Sequence, residues 1–340
     1  MRVLRRDGER VEIELADTHV TVRRFANDQL VDTSSQAYDS LLRAKFRADI
    51  ACARERAAGF ELVGQDAVVA LSHAELLTAI DANPDDHDTR LVLADWLTER
   101  GDPWGQIIAI QCLKEDEADG DRFDELDRAD FELRVAHKSR LWGELATVTV
   151  DAGHQRVFAD TMHVEWERGF AREIMLDGQR PDLAPLVFGA LGTLDVTRLL
   201  RVLYVNRATR VVVDQLAARR WPHLRELHVG LDVEAIIPDR LEAMVADACV
   251  PVLEVLSIDG LRSDQPCLML ARSSLAPRLR ALSLMNGDFT PASIRALADA
   301  PFDRLETLHV SGVGPSEAED VLRGRAKHVT VELARERYEL

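Results

Sequence analysis

The sequence has no long apolar run: nothing approaches the ~18–20 consecutive apolar residues that span a bilayer, so no membrane-crossing helix is expected. The opening residues, MRVLRRDGER, have no apolar core followed by small residues, so they do not read as a secretory signal. Cysteine is sparse. Cys52, Cys112, Cys249 and Cys267 lie far apart without a CxxC pair, which excludes a disulfide frame or a zinc ribbon and suits a reducing, cytoplasmic location. Lysine is equally scarce, with four among 42 basic residues, so abundant arginine reflects residue usage and says little about nucleic acid. No GxxxxGK[ST] loop, GxGxxG turn, HExxH pair or GxSxG elbow is present, and no cysteine has a nucleophile's neighbours. The reading is therefore of a non-enzymatic protein, with no cofactor and no metal site expected.

An excess of positive charge is also missing, for the net charge is −17. Residues 1–64 are balanced at 11 basic and 11 acidic side chains, whereas residues 65–150 hold 8 basic and 20 acidic. An acidic chain repels phosphate backbones, so any contact with nucleic acid would have to fall in the first 64 residues.

What is present is repetition. LxxLx(L/I/V) recurs as LRVLYV from Leu200, LRELHV from Leu224, LEVLSI from Leu253, LRALSL from Leu279 and LETLHV from Leu305. Weaker copies start at Ala171 and Ala326, and helix-like stretches such as Pro291–Ala300 lie between the copies. A short strand plus a helix cannot bury its apolar side alone. Stacked units form a parallel sheet with the leucines in one continuous core. From Ala171 to Leu333 the chain resembles leucine-rich repeats of the longer strand–helix type, which implies an α/β solenoid. It departs from them after the strand, where Asp232, Leu261, Gly287 and Val313 stand in place of the usual asparagine, so irregular loops are expected there.

Upstream, AELLTAI ends at the Asn83–Asp86 turn, Thr89–Pro103 reads as a helix stopped by Gly101 and Pro103, and a third helix runs through Ile107, Ile108, Ile110 and Leu113. The stretch LVLADWLTERGDP (Leu91–Pro103), Ile108–Gln111 and the later Arg168-Gly169-Phe170 resemble the bacterial repeat-companion domain. In that family the domain typically precedes leucine-rich repeats and has no established enzymatic activity. The acidic segment Glu115–Asp130 reads as a solvated face.

At the start of the chain, Val11–Leu15 and His19–Phe25 alternate apolar and polar residues as strands do. Tyr38, Leu42, Phe46, Ile50, Ala53 and Ala57 follow at helical spacing, Gly59 ends that helix, and Phe60–Val63 returns as a strand. EIEL, VTVR and AAGFELV in this order resemble the WGR domain, a small sheet-plus-helix module. Arg24, Phe25 and Ala26 stand where its aromatic–Gly–Arg triplet belongs, which removes the family's nucleic-acid contact from the expectation. Arg23, Arg24, Arg43, Arg47 and Arg54 form the candidate basic stripe, interleaved with Asp39, Asp49 and Glu55. The expected organisation is a WGR-like α+β domain (1–65), a helical repeat-companion domain (66–150) and the repeats (151–340).

Between the core leucines, alternate residues point away from the core to the exposed, concave side of the sheet. The candidate partner-binding residues there are Tyr204, Asn206, Glu226, His228, Ser257, Asp259, Ser283, Met285, Thr307 and His309. His309 and His328 project from neighbouring strands, but no third ligand converges on them, so they read as surface histidines. The row combines an aromatic, a methionine and small polar groups with few charges, as interface cores do. The sequence thus suggests a scaffold or recognition protein gripping a protein partner, with the alternative of an accessory protein that binds DNA or RNA through its first 65 residues.

Overall fold

The computed structural model describes residues 2–37, 44, 47–48, 51–52, 54–56, 58–65, 72–115, 117–151, 162–177, 184–232, 238–261 and 263–334. Two compact units divide the chain, Met1–Asp130 and Phe131–Leu340.

In the first unit, strands β1 (Arg2–Arg6), β2 (Glu9–Ala16), β3 (His19–Ala26) and β4 (Gln29–Ala37) form an antiparallel meander. Strand β5 (Glu61–Gln65) joins beside β1, giving the order β4-β3-β2-β1-β5. Asp7–Gly8 and Asn27–Asp28 each place both turn residues at positive φ, the twist that matches two-residue hairpins. One sheet face is apolar: Leu4, Val11, Ile13 and Val20 pack with Phe60 and with Ala44, Ala48 and Cys52, which lie among the helical residues between 44 and 56. The two alternating segments seen in the sequence fall within β2 and β3. The positions that suggested the helix by their spacing (Tyr38, Leu42, Phe46, Ile50, Ala53 and Ala57) lie outside the described residues.

Further along this unit lie the helices α1 (His73–Ala82), α2 (His87–Thr98) and α3 (Pro103–Glu115). Ser72 caps α1 reciprocally with Glu75, satisfying amides the first turn leaves open. Gly101 takes φ +72°, and its amide donates to Thr98 O while that of Asp102 donates to Leu97 O, which closes α2. Asp102 Oδ1 then accepts from the Trp104 amide at 3.1 Å and starts α3. A Cβ added to Gly105 would sit 2.4 Å from Ala94 O, so α2 and α3 meet backbone to backbone.

Helix α4 (Gly120–Ala136) carries most of the acidic segment, and not all of that segment is solvated. Asp130 is 1% exposed, and its Oδ1 accepts from buried Gln111 at 2.9 Å. Lys114 donates to Asp127 at 2.5 Å.

The second unit holds α5 (Lys138–Trp142), a short 3-10 turn over Gly143–Thr147 and a nine-stranded, mostly parallel sheet. Its strands are β6 (Thr149–Asp151), β7 (Met162–Glu167), β8 (Phe170–Asp177), β9 (Val202–Ala208), β10 (Glu226–Leu231), β11 (Val255–Asp259), β12 (Ala281–Asp288), β13 (Thr307–Val313) and β14 (His328–Ala334), lying side by side in chain order. Among the described residues, only β7 and β8 of this sheet are antiparallel. Their turn is Arg168–Gly169, both at positive φ. From β8 onward helices alternate with strands: α6 (Ala184–Leu191), α7 (Arg210–Ala217), α8 (Pro238–Val245), α9 (Gln265–Arg272), α10 (Pro291–Asp299) and α11 (Ala318–Leu322), each packed on the next. The fold is thus α/β.

Register explains the core. Ile174, Leu203, Leu227, Leu256, Leu282 and Leu308 pair in one row across β8–β13, each 0–1% exposed. Two residues on, Leu176, Val205, Val229, Ile258, Leu284 and Val310 make a second row. Period-two alternation sends both rows to the helices, where Val212, Leu216, Leu241, Leu270, Ile294 and Leu297 cover them. Each such leucine contributes roughly 1.5–3 kcal/mol by leaving water.

At the strand ends, near Asp232, Leu261, Gly287 and Val313, backbone groups bond one another. The amide of Asp232 donates to Ala208 O, Asp288 to Leu261 O, Phe289 to Val313 O and Gly314 to Ala334 O, at 2.8–3.1 Å. The strand ends bulge to reach these partners, with Arg207 and Asn286 at positive φ. Gly312 (φ +139°) lies so close to Gly287 that an added Cβ would come within 2.1 Å of its carbonyl oxygen, so only glycine fits there.

Candidate functional site

The opposite face of the second unit's sheet is a second set of in-register rows. Met175, Tyr204, His228, Ser257, Ser283, His309 and Thr330 align across seven strands. Beside them run Glu173, Val202, Glu226, Val255, Ala281, Thr307 and His328. Alternation from the buried leucines puts every one of these side chains away from the helices.

Within the row, neighbours touch. The Tyr204 and His228 rings stack at 4.2 Å between centroids and 14° between planes. This stack half-buries both rings, so Tyr204 is a supported platform and does not stand free. Burial pushes the His228 imidazole below its ordinary pKa, against an opposing pull from the Glu226 carboxylate, 3.7 Å from Nε2. Further along, Ser283 Oγ meets His309 Nδ1 at 3.5 Å, and His309 Nε2 lies 3.9 Å from Glu332. Both imidazole–carboxylate distances exceed a hydrogen bond and leave polar atoms along the row for another molecule to engage.

Not every predicted residue is equally available. Ser257 is 7% exposed, because this small side chain lies in a row shaded by its neighbours. Asp259 is tied to Asn286 at 2.7 Å, while Met285 pairs with Asp259 in register and is half-buried. Asn206 and Thr307 are exposed, and Glu226 and Ser283 half-exposed. At the strand entrances Glu254, Arg280, Glu306 and Lys327 alternate in sign, with contacts of 4.0, 3.3 and 3.6 Å. The sequence reading missed this charged border, although the residue after each repeat's opening leucine would have shown it. The Arg280 guanidinium, helped by Lys327, holds the Glu306 carboxyl below the usual carboxylate range.

The arginine stripe is distributed differently. Arg23 pairs with Glu14 at 2.7 Å, Arg24 with Glu55 and with Asp32 at 3.3 Å, and Arg47 with Asp88. Arg54 is exposed, and Arg43 lies outside the described residues. A guanidinium already paired with a carboxylate has its charge largely offset and attracts a phosphate less. At physiological salt, duplex DNA titrated onto the full chain should bind no tighter than ~10⁻⁴–10⁻⁶ M, the range of non-specific association. Nanomolar binding abolished by reversing Arg23, Arg24, Arg47 and Arg54 to Glu would contradict this.

All four cysteines are buried. Burial pushes the thiols of Cys249 and Cys267 up to about 11 and about 12, so neither supplies a thiolate at neutral pH. Among the described residues, no three His, Cys, Asp or Glu side chains gather as a metal ion requires, and no helix is long and apolar enough to cross a membrane.

No protein-family model matches the chain, and no curated protein matches it. Among solved structures, a Bacteroides fragilis protein from structural genomics is similar to it at 14% identity and a TM-score of 0.40, covering 100% of this chain and 98% of that one. That likeness specifies neither a family nor a chemistry.

Proposed function

We propose that the chain is a non-enzymatic recognition or scaffold protein, with a leucine-rich-repeat solenoid that grips a protein partner on the exposed face of its sheet. The observation that carries the reading is the aligned row from Met175 to Thr330, in which an aromatic stack, methionine, serines and histidines lie side by side without a formal charge. Interface cores are depleted in charge and enriched in tyrosine and methionine, and charged rims border them. The Glu254–Lys327 series supplies such a rim. In this reading the helices of residues 73–115 are a repeat-companion domain and the first sheet a WGR-like module, both in supporting roles, on the strength of the sequence resemblances alone. A cytoplasmic setting agrees with buried cysteines that form no disulfide.

The experiment is affinity capture on the full chain, followed by amide hydrogen exchange with the partner recovered. Slowed exchange should concentrate in β9–β12. Slowing confined to the first 130 residues would overturn the proposal.

A further inference from the structure

Along the buried leucine row, exposure changes abruptly at one place. Leu282 and Leu308 are 1% and 0% exposed, and Leu284 and Val310 are both 0%. Their counterparts in β14, Val329 and Val331, are each half-exposed, as is Leu333. Strand β14 pairs with β13 through seven residues without a register shift and, among the described residues, with no other strand. Its outer edge thus presents a regular line of backbone donors and acceptors beside half-covered apolar side chains. Natural edge strands are commonly blunted by lysine, proline or a bulge. His328–Ala334 has no lysine, proline or bulge, and Glu332 is its one formally charged side chain.

We propose that this edge pairs with the same edge of a second copy of the chain, β14 against β14 in antiparallel register centred on Thr330. The register follows from chemistry. In an antiparallel pair, directly opposed residues share a face, so the two copies keep their apolar sides together only when Val or Leu of one strand opposes an odd-numbered residue of the other. Centring on Thr330 sets Val331 against Val329 on the helix side and Thr330 against itself on the exposed side. It also sets Glu332 against His328, twice by symmetry. Centring on Val331 loses both His–Glu pairs, and centring on Glu332 opposes two carboxylates. A self-complementary, closed contact of this kind is what a two-fold dimer requires. The side chains concerned are accessible: Glu332 is 69% exposed, and His328 and Thr330 are exposed.

Sedimentation velocity of the full chain should show a reversible monomer–dimer equilibrium. His328→Glu opposes carboxylate to carboxylate at two places and should weaken the dimer about tenfold, given the size of single cross-strand pairs. Adding Glu332→Lys to that variant places lysine opposite glutamate and should restore it. Because these positions are exposed, folding is preserved, and a circular dichroism spectrum checks it. Thr330→Cys should form a disulfide-linked dimer under mild oxidation, whereas Thr307→Cys, one strand inward, should not. A monomer at every concentration overturns the proposal. So does a dimer indifferent to His328→Glu, or equal cross-linking at both cysteines.

Discussion

Leu282→Ala is expected to destabilise the second unit by about 2–5 kcal/mol, read by urea denaturation of the full chain. Leu282 is 1% exposed and occupies the middle of the row, between Leu256 and Leu308, so the truncation removes buried methyl groups and leaves a cavity. The cavity cannot collapse easily, because the flanking strands are fixed by the ladder and by the close approach of Gly287 to Gly312. In a stack of units that touch only their neighbours, loss at one unit also loosens the next. A Leu282→Ala curve superimposing on the parent's would contradict the proposed stacking at this repeat. Ser283→Ala, one residue along on the other face, should fall within about 0.5 kcal/mol of the parent and serves as the control.

Tyr204→Ala combined with Met285→Ala is expected to weaken the captured partner about 30-fold or more, the size of a hot-spot truncation. Tyrosine buries a large area at small entropic cost, and the Tyr204 ring is already held by its stack on His228. That pre-arrangement means little ordering remains to be done on binding. The stack also gives Tyr204 a share in stability, so the double variant should lose about 1 kcal/mol of folding free energy. Binding is the larger effect. A variant with parental affinity removes Tyr204 and Met285 from the interface.

Much of the sheet was legible because period and type agree. Leucines at LxxLxL can only alternate sides in a strand, and once one leucine pairs with the next, every outward residue follows, including the adjacency of Tyr204 and His228. The helix end at Gly101 was legible for a similar reason, since it is local chemistry between residues a few positions apart, whereas the equally local Ser72–Glu75 cap was passed over. Strands β1 and β4 escaped. The first is five residues long and the second is exposed throughout, so neither carries a strong apolar alternation. Asp130 looked like one more solvated carboxylate. It is buried because it lies one helical turn beyond Leu126, on the side that faces Gln111, a tertiary fact with only an i,i+4 spacing as its sign. The bulges at Arg207 and Asn286 accompany backbone bonds at the strand ends, and nothing in the residue types announces them.

If the exposed face of the parallel sheet holds the partner, two variants measured side by side separate it from the acidic helix. One is Tyr204→Ala with Met285→Ala. The other is Asp121→Lys with Asp124→Lys, exposed carboxylates of α4 whose reversal leaves the buried Asp130 in place. The measurement is the partner's Kd at low and physiological salt. The account predicts that the sheet variant loses affinity at both salts, while the α4 variant changes mainly the salt dependence, since exposed charges steer encounter more than they hold complexes. Full affinity in the sheet variant, with binding lost in the α4 variant, would contradict it and move the interface to the acidic helix.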